Sequence, residues 1–219
     1  MGCRRTARGV PDPFSLTPPD PWPLIPNSHF TMTSPSAPTT VLWTRHDRVS
    51  LEFFQLHEAP VGARLSGTIL TVEEAQPLRV DYMVQCDRDW ATRSARIALT
   101  HGAATSKLSL VVDDRNRWWR DGKEIAEVAG CIDIDISLSP STNTLPIRRL
   151  SLARGGESDV VAAWIHFPDL AIEPLPQRYV RSGENHYRYA SDGGAFTAEI
   201  EVDELGLVVR YPPLWERVR

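Results

Sequence analysis

Two pairs of charged side chains lie on either side of a turn, where they could bind a charged ligand or neutralise one another. Asp133 and Asp135 alternate with isoleucines in "CIDIDISLS", and Arg148 and Arg149 follow in "TNTLPIRRL". Alternate residues of a strand point to the same face, so the two carboxylates share a face. A metal would need further oxygen ligands, whereas buried carboxylates need a partner. The sequence therefore favours ion pairs with the two arginines over a metal site.

Aromatic residues beside charges are the second group of candidates. Trp90 lies in "DRDWATR" together with Arg93, and it could stack on a sugar ring or close one end of the fold, the second being favoured. In "RWW", Trp118 and Trp119 occupy opposite faces of a strand, so one of them should be exposed or at an interface. The candidate ligand-binding residues are Trp90, Arg93, Asp133, Asp135, Arg148, Arg149 and Trp164.

Catalytic patterns are absent from the sequence. Neither G-x-S-x-G nor H-E-x-x-H occurs, and the six histidines are scattered singly. Cys86 and Cys131 belong to alternating strands, where a free cysteine usually acts as a small apolar side chain of the core. We therefore expect no catalytic residue, no cofactor and no metal, although an enzyme of lipid or sugar esters stays a third possibility.

Composition limits the partners and the compartment. The net charge of -4 and pI of about 5.9 do not favour nucleic acid, which binds basic surfaces. Three cysteines without a C-x-x-C pair fit reduced thiols and a cytoplasmic protein. Because no apolar run reaches about 18 residues, stable insertion into a membrane is not expected.

The chain divides into a tail and one predicted domain. Residues 1–40 hold half of the 18 prolines and are expected to be disordered, since proline supports neither a helix interior nor a paired strand. Residues 41–219 then form a single domain of many strands. In "LRVDYMVQCD", for example, apolar residues alternate with polar ones from Leu78 to Cys86. Short turns between such strands predict an antiparallel meander that rolls up.

One helix is predicted, in "NTLPIRRLSLA". Asn143 or Thr144 could cap its first turn, and Pro146 is tolerated there because that amide has no helical acceptor. The other candidate, "DGKEIAEVAG", is short and enclosed by glycines, so it is interpreted as a turn and an edge strand.

Several blocks resemble a known bacterial family. They are "YMVQCDRDWATRSARI", "DGKEIAEVAGCIDIDISLSPSTNTLPIRRLSL", "VAAWIHFPDLAIEPLPQRYVR" and "FTAEIEVDELGLVVRYPPLWERV". Over residues 41–217 the chain is similar to the family named putative glycolipid-binding proteins. The resemblance implies a spiral β-roll, an all-β and mostly antiparallel coiled sheet wrapped around a single short helix, and a homodimer. It carries over no binding or catalytic residue.

The expected function is therefore binding of a glycolipid or a fatty-acyl ligand. An apolar cleft beside the helix would hold the chain, at about 0.8 kcal/mol for each buried methylene, and arginines would contact the headgroup. The alternative is a non-enzymatic structural or interaction dimer. The cleft decides between them, because a helix that fills the roll leaves no room for a hydrocarbon chain.

Overall fold

The computed structural model describes residues 37–218, so the predicted disordered tail lies almost entirely outside the described residues. In this part of the chain, strands and one short α-helix, α1 (Thr144–Leu150), make up the fold. The strands are β1 (Thr39–Arg45), β2 (Ser50–Ala59), β3 (Gly62–Glu73), β4 (Gln76–Asp87), β5 (Thr92–His101), β6 (Ala104–Val112), β7 (Trp118–Arg120), β8 (Lys123–Glu124), β9 (Asp133–Ile136), β10 (Glu157–Ile165), β11 (Ile172–Arg181), β12 (His186–Ser191), β13 (Phe196–Val202), β14 (Val208–Tyr211) and β15 (Trp215–Arg217). Single helical turns occur at Ala126–Val128, Ser141–Asn143 and Asp192–Gly194.

All fifteen strands belong to one unclosed sheet, in the order β8-β7-β6-β5-β4-β3-β2-β1-β15-β14-β13-β12-β11-β10-β9. The first and last strands of the chain, β1 and β15, pair antiparallel at its centre. From that pair, each half of the chain adds antiparallel strands outwards, and among the strands of residues 37–218 only β9 and β10 pair in parallel. This confirms the predicted all-β, mostly antiparallel meander.

Chain connectivity forces this sheet to coil. β8 and β9 lie at opposite ends of the sheet, which would be about 65 Å apart if fifteen strands lay flat. The chain joins them through residues 125–132, which span about 30 Å at most. The ends therefore curl towards each other. Hydrogen bonds from Thr92 N to Ile132 O (3.1 Å) and from Trp118 Nε1 to Cys131 O (2.8 Å) hold the connection against β5 and β7.

Two buried threonines occupy the open edge of β9. The Oγ1 of Thr92 accepts a hydrogen bond from Ile134 N, and the Oγ1 of Thr142 accepts one from Ile136 N, both at 3.2 Å. An unpaired strand edge presents backbone groups that attract further strands. The threonine hydroxyls satisfy these amides, so the edge ends inside the fold rather than at an exposed ladder.

The apolar side chains on the inward faces of the strands form one continuous core. On β4, the alternation from Leu78 to Cys86 is buried as predicted, and Trp43 and Trp118 are fully buried. Trp119, next in the chain, is only half-buried, so the two tryptophans face opposite ways. Cys86 and Cys131 are buried free thiols, and burial raises the pKa of Cys131 to about 11. Both cysteines are core side chains.

The predicted helix is confirmed, but its predicted cap is wrong. Pro146 lies in the first turn of α1, and Leu145 and Ile147 are buried. Asn143 has helical angles (φ -60°, ψ -25°), because the chain enters α1 directly from the helical turn before it. A capping side chain requires an extended backbone at that position. Instead, the Asn143 amide donates to Pro140 O and the Thr144 hydroxyl donates to Gly206 O.

Candidate functional site

Asp133 forms a buried ion pair with the helix. The Arg149 guanidinium donates to both carboxylate oxygens, from Nε to Oδ1 at 3.0 Å and from Nη2 to Oδ2 at 2.5 Å. Asp133 is 1% exposed. Burial raises the pKa of Asp133, and the Arg149 guanidinium opposes that rise only in part. This pair is the contact expected from the sequence between β9 and the helix.

Asp135 does not pair with an arginine, and this part of the sequence interpretation is wrong. Its Oδ2 accepts a hydrogen bond from Gln177 Nε2 of β11 at 2.6 Å. Strand residues two apart share a face, but neighbouring helix residues diverge by about 100°, so Arg148 and Arg149 cannot follow both carboxylates. Burial raises the pKa of Asp135 to about 6, and Gln177 lowers it only in part.

Arg148 instead contacts Trp90. Its guanidinium lies 4.4 Å from the indole centroid and donates to Glu58 Oε1 (2.8 Å) and to Leu205 O (3.1 Å). Trp90 follows β4 in a turn with φ 65°, which is rare for a bulky residue, and it is 9% exposed. The Trp90 indole is thus held between its own turn and Arg148 of α1. The Arg148 guanidinium covers part of the ring face on which a sugar would stack.

The third arginine, Arg93, is held beside this turn. Its Nη2 lies 2.6 Å from Asp87 Oδ2, and its Nη1 donates to Asp113 O at 3.2 Å. We name Trp90, Arg93, Asp133, Arg148 and Arg149 the helix end of the roll, because they belong to α1, to β9 that pairs with it through Asp133, and to the turn and first residues of β5 beside Trp90. Each of the three arginines here already has an intramolecular carboxylate partner. Contact of these residues with a ligand stays a prediction.

Trp164 joins Asp135 rather than Trp90. On β10 it lies in register between Asp135 of β9 and Glu173 of β11. Its ring packs on His166 with 3.8 Å between centroids, and His166 Nε2 lies 2.6 Å from Glu173 Oε1. The seven candidate residues therefore form two groups. Asp135 and Trp164 are partners in register on β9 and β10, and the strand residues in register with them include none of the three helix-end arginines.

The sequence interpretation missed a buried polar cluster formed by Glu52, Tyr82, Ser139 and Ser141. Glu52 is 2% exposed, and its Oε1 accepts hydrogen bonds from the Tyr82 hydroxyl (2.5 Å) and the Ser139 hydroxyl (2.8 Å). Its Oε2 has no hydrogen-bond partner among the described residues. Burial raises the pKa of Glu52 to about 8, and the two hydrogen bonds only partly oppose it. The carboxyl is consequently neutral near pH 7.

Gly67 makes room for this cluster. It lies in register between Tyr82 of β4 and Phe54 of β2, so the tyrosine ring must cross it to reach Glu52. A Cβ at Gly67 would lie 2.6 Å from Tyr82 Cε1 and 2.7 Å from the hydroxyl oxygen. The sequence does hold a signal for this site, because Glu52 occupies the same strand face as Phe54 and Leu56.

Two adjoining hollows lie on the outward face of β10–β13. The first, of about 530 Å³, is lined by the apolar side chains of Val160, Val161, Pro176 and Ala190 and by the polar or charged ones of Asp159, Gln177, Arg178 and Ser191. The second, of about 570 Å³, combines the charged side chains of Glu157, Arg178, Arg188 and Glu199 with apolar ones such as Val180 and Ala198. Arg178 and Ala190 line both hollows and are partners in register. Both hollows open to solvent beside the exposed Arg178, and the first also reaches the buried side chains of Gln177 and Ser191.

Neither hollow is lined by a residue of α1, whose Leu145 is fully buried. Within residues 37–218, no three His, Cys, Asp or Glu side chains are grouped so that they could hold a metal ion. Over the same residues, the structure contains no helix with the length and apolar character needed to cross a bilayer.

Comparison with known proteins identifies the family. Residues 40–217 match the family described as "Putative glycolipid-binding". A crystal structure of a DUF1089 family protein from Pseudomonas aeruginosa is similar, with 33% sequence identity and a TM-score of 0.71 over 90% of this chain and 100% of that chain. None of the curated proteins compared with the chain matches it. The coiled sheet, its single helix and this match over most of the length show that the chain belongs to the "Putative glycolipid-binding" family.

Proposed function

We propose that this protein binds an amphiphile with a sugar headgroup, without catalysis, on the outward face of β10–β13. The observation that supports this most directly is the pair of adjoining hollows, which share Arg178 and Ala190 and of which the second is lined by more charged side chains than the first. An amphiphile needs such a pair of environments. The predicted cleft beside the helix has less support, because the helix residues that face the sheet are buried.

The first hollow suits a short hydrocarbon segment. Val160, Val161 and Pro176 offer apolar contacts, and its volume lies in the range of about 300–1,000 Å³ that is usual for small-molecule sites. Each methylene removed from water contributes about 0.8 kcal/mol. Because the hollow is open, only one side of the chain is covered, and we expect weak affinity for a single alkyl chain.

The second hollow suits the hydroxyl groups of a sugar. Arg178 is oriented by Glu157, with Nη2 to Oε1 at 2.7 Å, and by the more distant Asp159 at 3.4 Å. The side chains of Arg188, Thr197 and Glu199 are exposed beside it. Guanidinium groups only donate and carboxylates only accept hydrogen bonds, whereas each sugar hydroxyl does both. The mixture of these groups therefore favours a neutral polyhydroxyl headgroup over a purely anionic one.

Replacing Val161 by glutamate should weaken binding of monomeric octyl glucoside by about tenfold, because a charge would replace an apolar contact. The binding can be measured by titration with ¹H–¹⁵N NMR below the micellar concentration of the detergent. Val111→Glu is the matched control, since Val111 is a similarly exposed strand valine outside both hollows (51% against 43%). Equal weakening in both variants, or no binding to the native protein, would contradict the proposal. Shifts confined to the helix end would place the ligand beside Trp90 instead.

We further propose that the protein is a homodimer, as the family resemblance implied. An exposed apolar surface on β2 and β3 supports this proposal. Leu51 and Leu70 are partners in register, and Phe53 and Val72 continue the same outward face. These four side chains are 43–53% exposed. Contiguous apolar surface of this kind is typical of interfaces, and a two-fold axis would pair it with itself.

Phe53→Lys should shift the protein from dimer to monomer, because two lysines would meet across the axis. Light scattering after size-exclusion chromatography measures the mass. Val111→Lys, on β6, should leave the mass unchanged. A native protein that is already monomeric at high micromolar concentration would refute the dimer, and a dimeric Phe53→Lys variant would exclude this surface as its interface.

A further inference from the structure

We propose that Glu52 anchors residues 139–150 against the sheet and that the proton on its carboxyl controls this contact. The segment stays in place while the carboxyl is neutral and loosens when the proton is lost. Glu52 lines neither hollow.

The first step is a direct chain of hydrogen bonds from the carboxyl to the segment. Ser139 donates to Glu52 Oε1 at 2.8 Å, and the same serine oxygen accepts the backbone N–H of Ser141 at 3.0 Å. The hydroxyls of Ser141 and Tyr82 lie 2.7 Å apart. Ser141 begins the helical turn that continues directly into α1. The entrance to the helix is therefore fixed by groups that contact Glu52.

Second, no positively charged side chain among residues 37–218 is paired with Glu52. In register beside Glu52 lie Trp43 on β1 and Ile69 on β3, both fully buried and apolar. Apart from burial, the groups that shift the pKa of Glu52 are Tyr82 and Ser139, and neither carries a positive charge. A buried carboxylate without a cationic partner is costly. Its ionisation should favour any movement that admits water.

The third step identifies the part that moves. β2 is paired with β3 along its length and with β1 at Leu51–Leu56, and β4 is paired with β3 and β5. In contrast, α1 has seven residues, too few for a helix to be stable in water by itself. It depends on packing and on the bonds at its entrance. Loosening this segment breaks fewer backbone hydrogen bonds than separating the strands.

The raised pKa of Glu52 determines how the stability of the closed segment changes with pH. Burial raises the pKa of Glu52 from 4.5 to about 8, so between these pH values the closed state holds a proton that an open, hydrated state would lose. The closed state is thus favoured at low pH and becomes less favoured as the pH rises to about 8. With one proton involved, protection of the segment should fall about tenfold per pH unit in this window.

Native-state hydrogen exchange on the full chain tests the proposal. After correction for the intrinsic pH dependence of exchange, amides of residues 144–150 should lose protection about tenfold per unit from pH 5 to pH 8, while amides of β12 should not. Glu52→Gln should abolish the slope, because glutamine keeps an acceptor for Tyr82 and Ser139 but does not ionise. Glu127→Gln, at an exposed position, should retain the slope.

Three outcomes would overturn the proposal. These are a slope that persists in Glu52→Gln, the absence of a slope in the native protein, and an equal slope in β12, which would show global unfolding instead of local release. Should Glu52→Gln not fold, ¹³C NMR of the native protein gives an independent answer. The Glu52 carboxyl should titrate near pH 8, and an ordinary midpoint near pH 4.5 would refute the anchor.

Discussion

Replacing Asp133 by asparagine should lower the free energy of unfolding by about 3–5 kcal/mol, as expected when one partner of a buried ion pair is removed. The Arg149 guanidinium binds both oxygens of Asp133, and its side chain is only 16% exposed. Asparagine supplies one acceptor oxygen and no charge, so the Arg149 guanidinium would stay buried without a negative charge to offset its lost hydration. The contact between β9 and the end of α1 would weaken at the same time.

The same substitution two residues away should have the opposite sign. Asp135 accepts its hydrogen bond from the neutral Gln177 amide, and burial raises its pKa from 3.8 to about 6 although Gln177 and His166 partly oppose the rise. The folded state therefore holds a proton between these pH values that the unfolded chain releases, and stability falls as the pH rises through this window. Asp135→Asn removes that loss while keeping an acceptor for Gln177. We expect a gain of about 2–3 kcal/mol at pH 7 and little gain at pH 4.

Urea denaturation of the two variants at pH 4 and pH 7 provides the measurement, with each variant as the control for the other. Both change one aspartate of the same strand face to the same residue. If the Asp133→Asn variant and the native protein unfold at the same midpoint urea concentration at pH 7, the ion pair does not contribute to stability as argued. The double variant Asp133→Leu, Arg149→Met should recover much of the loss, since a buried pair adds little over well-packed apolar side chains.

Gly67→Ala should destabilise the protein by about 3 kcal/mol, although alanine is ordinarily tolerated in strands. The new methyl would lie 2.6–2.7 Å from the Tyr82 ring and hydroxyl. The ring would have to move, which strains the core, and the hydroxyl would lose its hydrogen bond to the buried Glu52. One added carbon atom therefore disturbs both the packing and the buried polar cluster.

A double-mutant cycle tests this explanation. In a Tyr82→Leu background the ring is gone, so Gly67→Ala should cost little, and the coupling between the two sites should be about 2 kcal/mol or more. Denaturant midpoints of the four proteins give the coupling directly. Additive effects of the two substitutions would mean that the glycine is needed for another reason, such as its backbone conformation.

Residue patterns in the chain determined the type and place of most elements. The two-residue period of β4 reflects the geometry of any strand with one face in a core, so it predicts which side chains are buried without knowledge of the partners. Pro146 near the start of α1 is similarly local, because it depends only on the first-turn amides. The family blocks added the coiled form of the sheet, and the short connection between β8 and β9 accounts for it physically.

Tertiary structure decided the contacts of the charged residues. Residue spacing places Asp133 and Asp135 on one face of β9. The orientation of α1 then decides that Arg149 binds Asp133 and that Asp135 accepts a hydrogen bond from Gln177 instead. The two hollows likewise depend on the register between β10, β11, β12 and β13, which the spacing of residues within one strand does not determine. Local spacing holds no information on such contacts.

β2 shows most clearly where prediction from the sequence ends. Both of its faces carry apolar side chains, with Leu51 and Phe53 on one and Phe54 and Leu56 on the other, so its period identifies a strand but not its inner face. The coiled sheet turns Glu52 inwards to 2% exposure and leaves Phe53 49% exposed. The reason is physical: Ser139, 87 residues along the chain, supplies the hydrogen bond that makes a neutral carboxyl acceptable in the core, and only folding brings the two together.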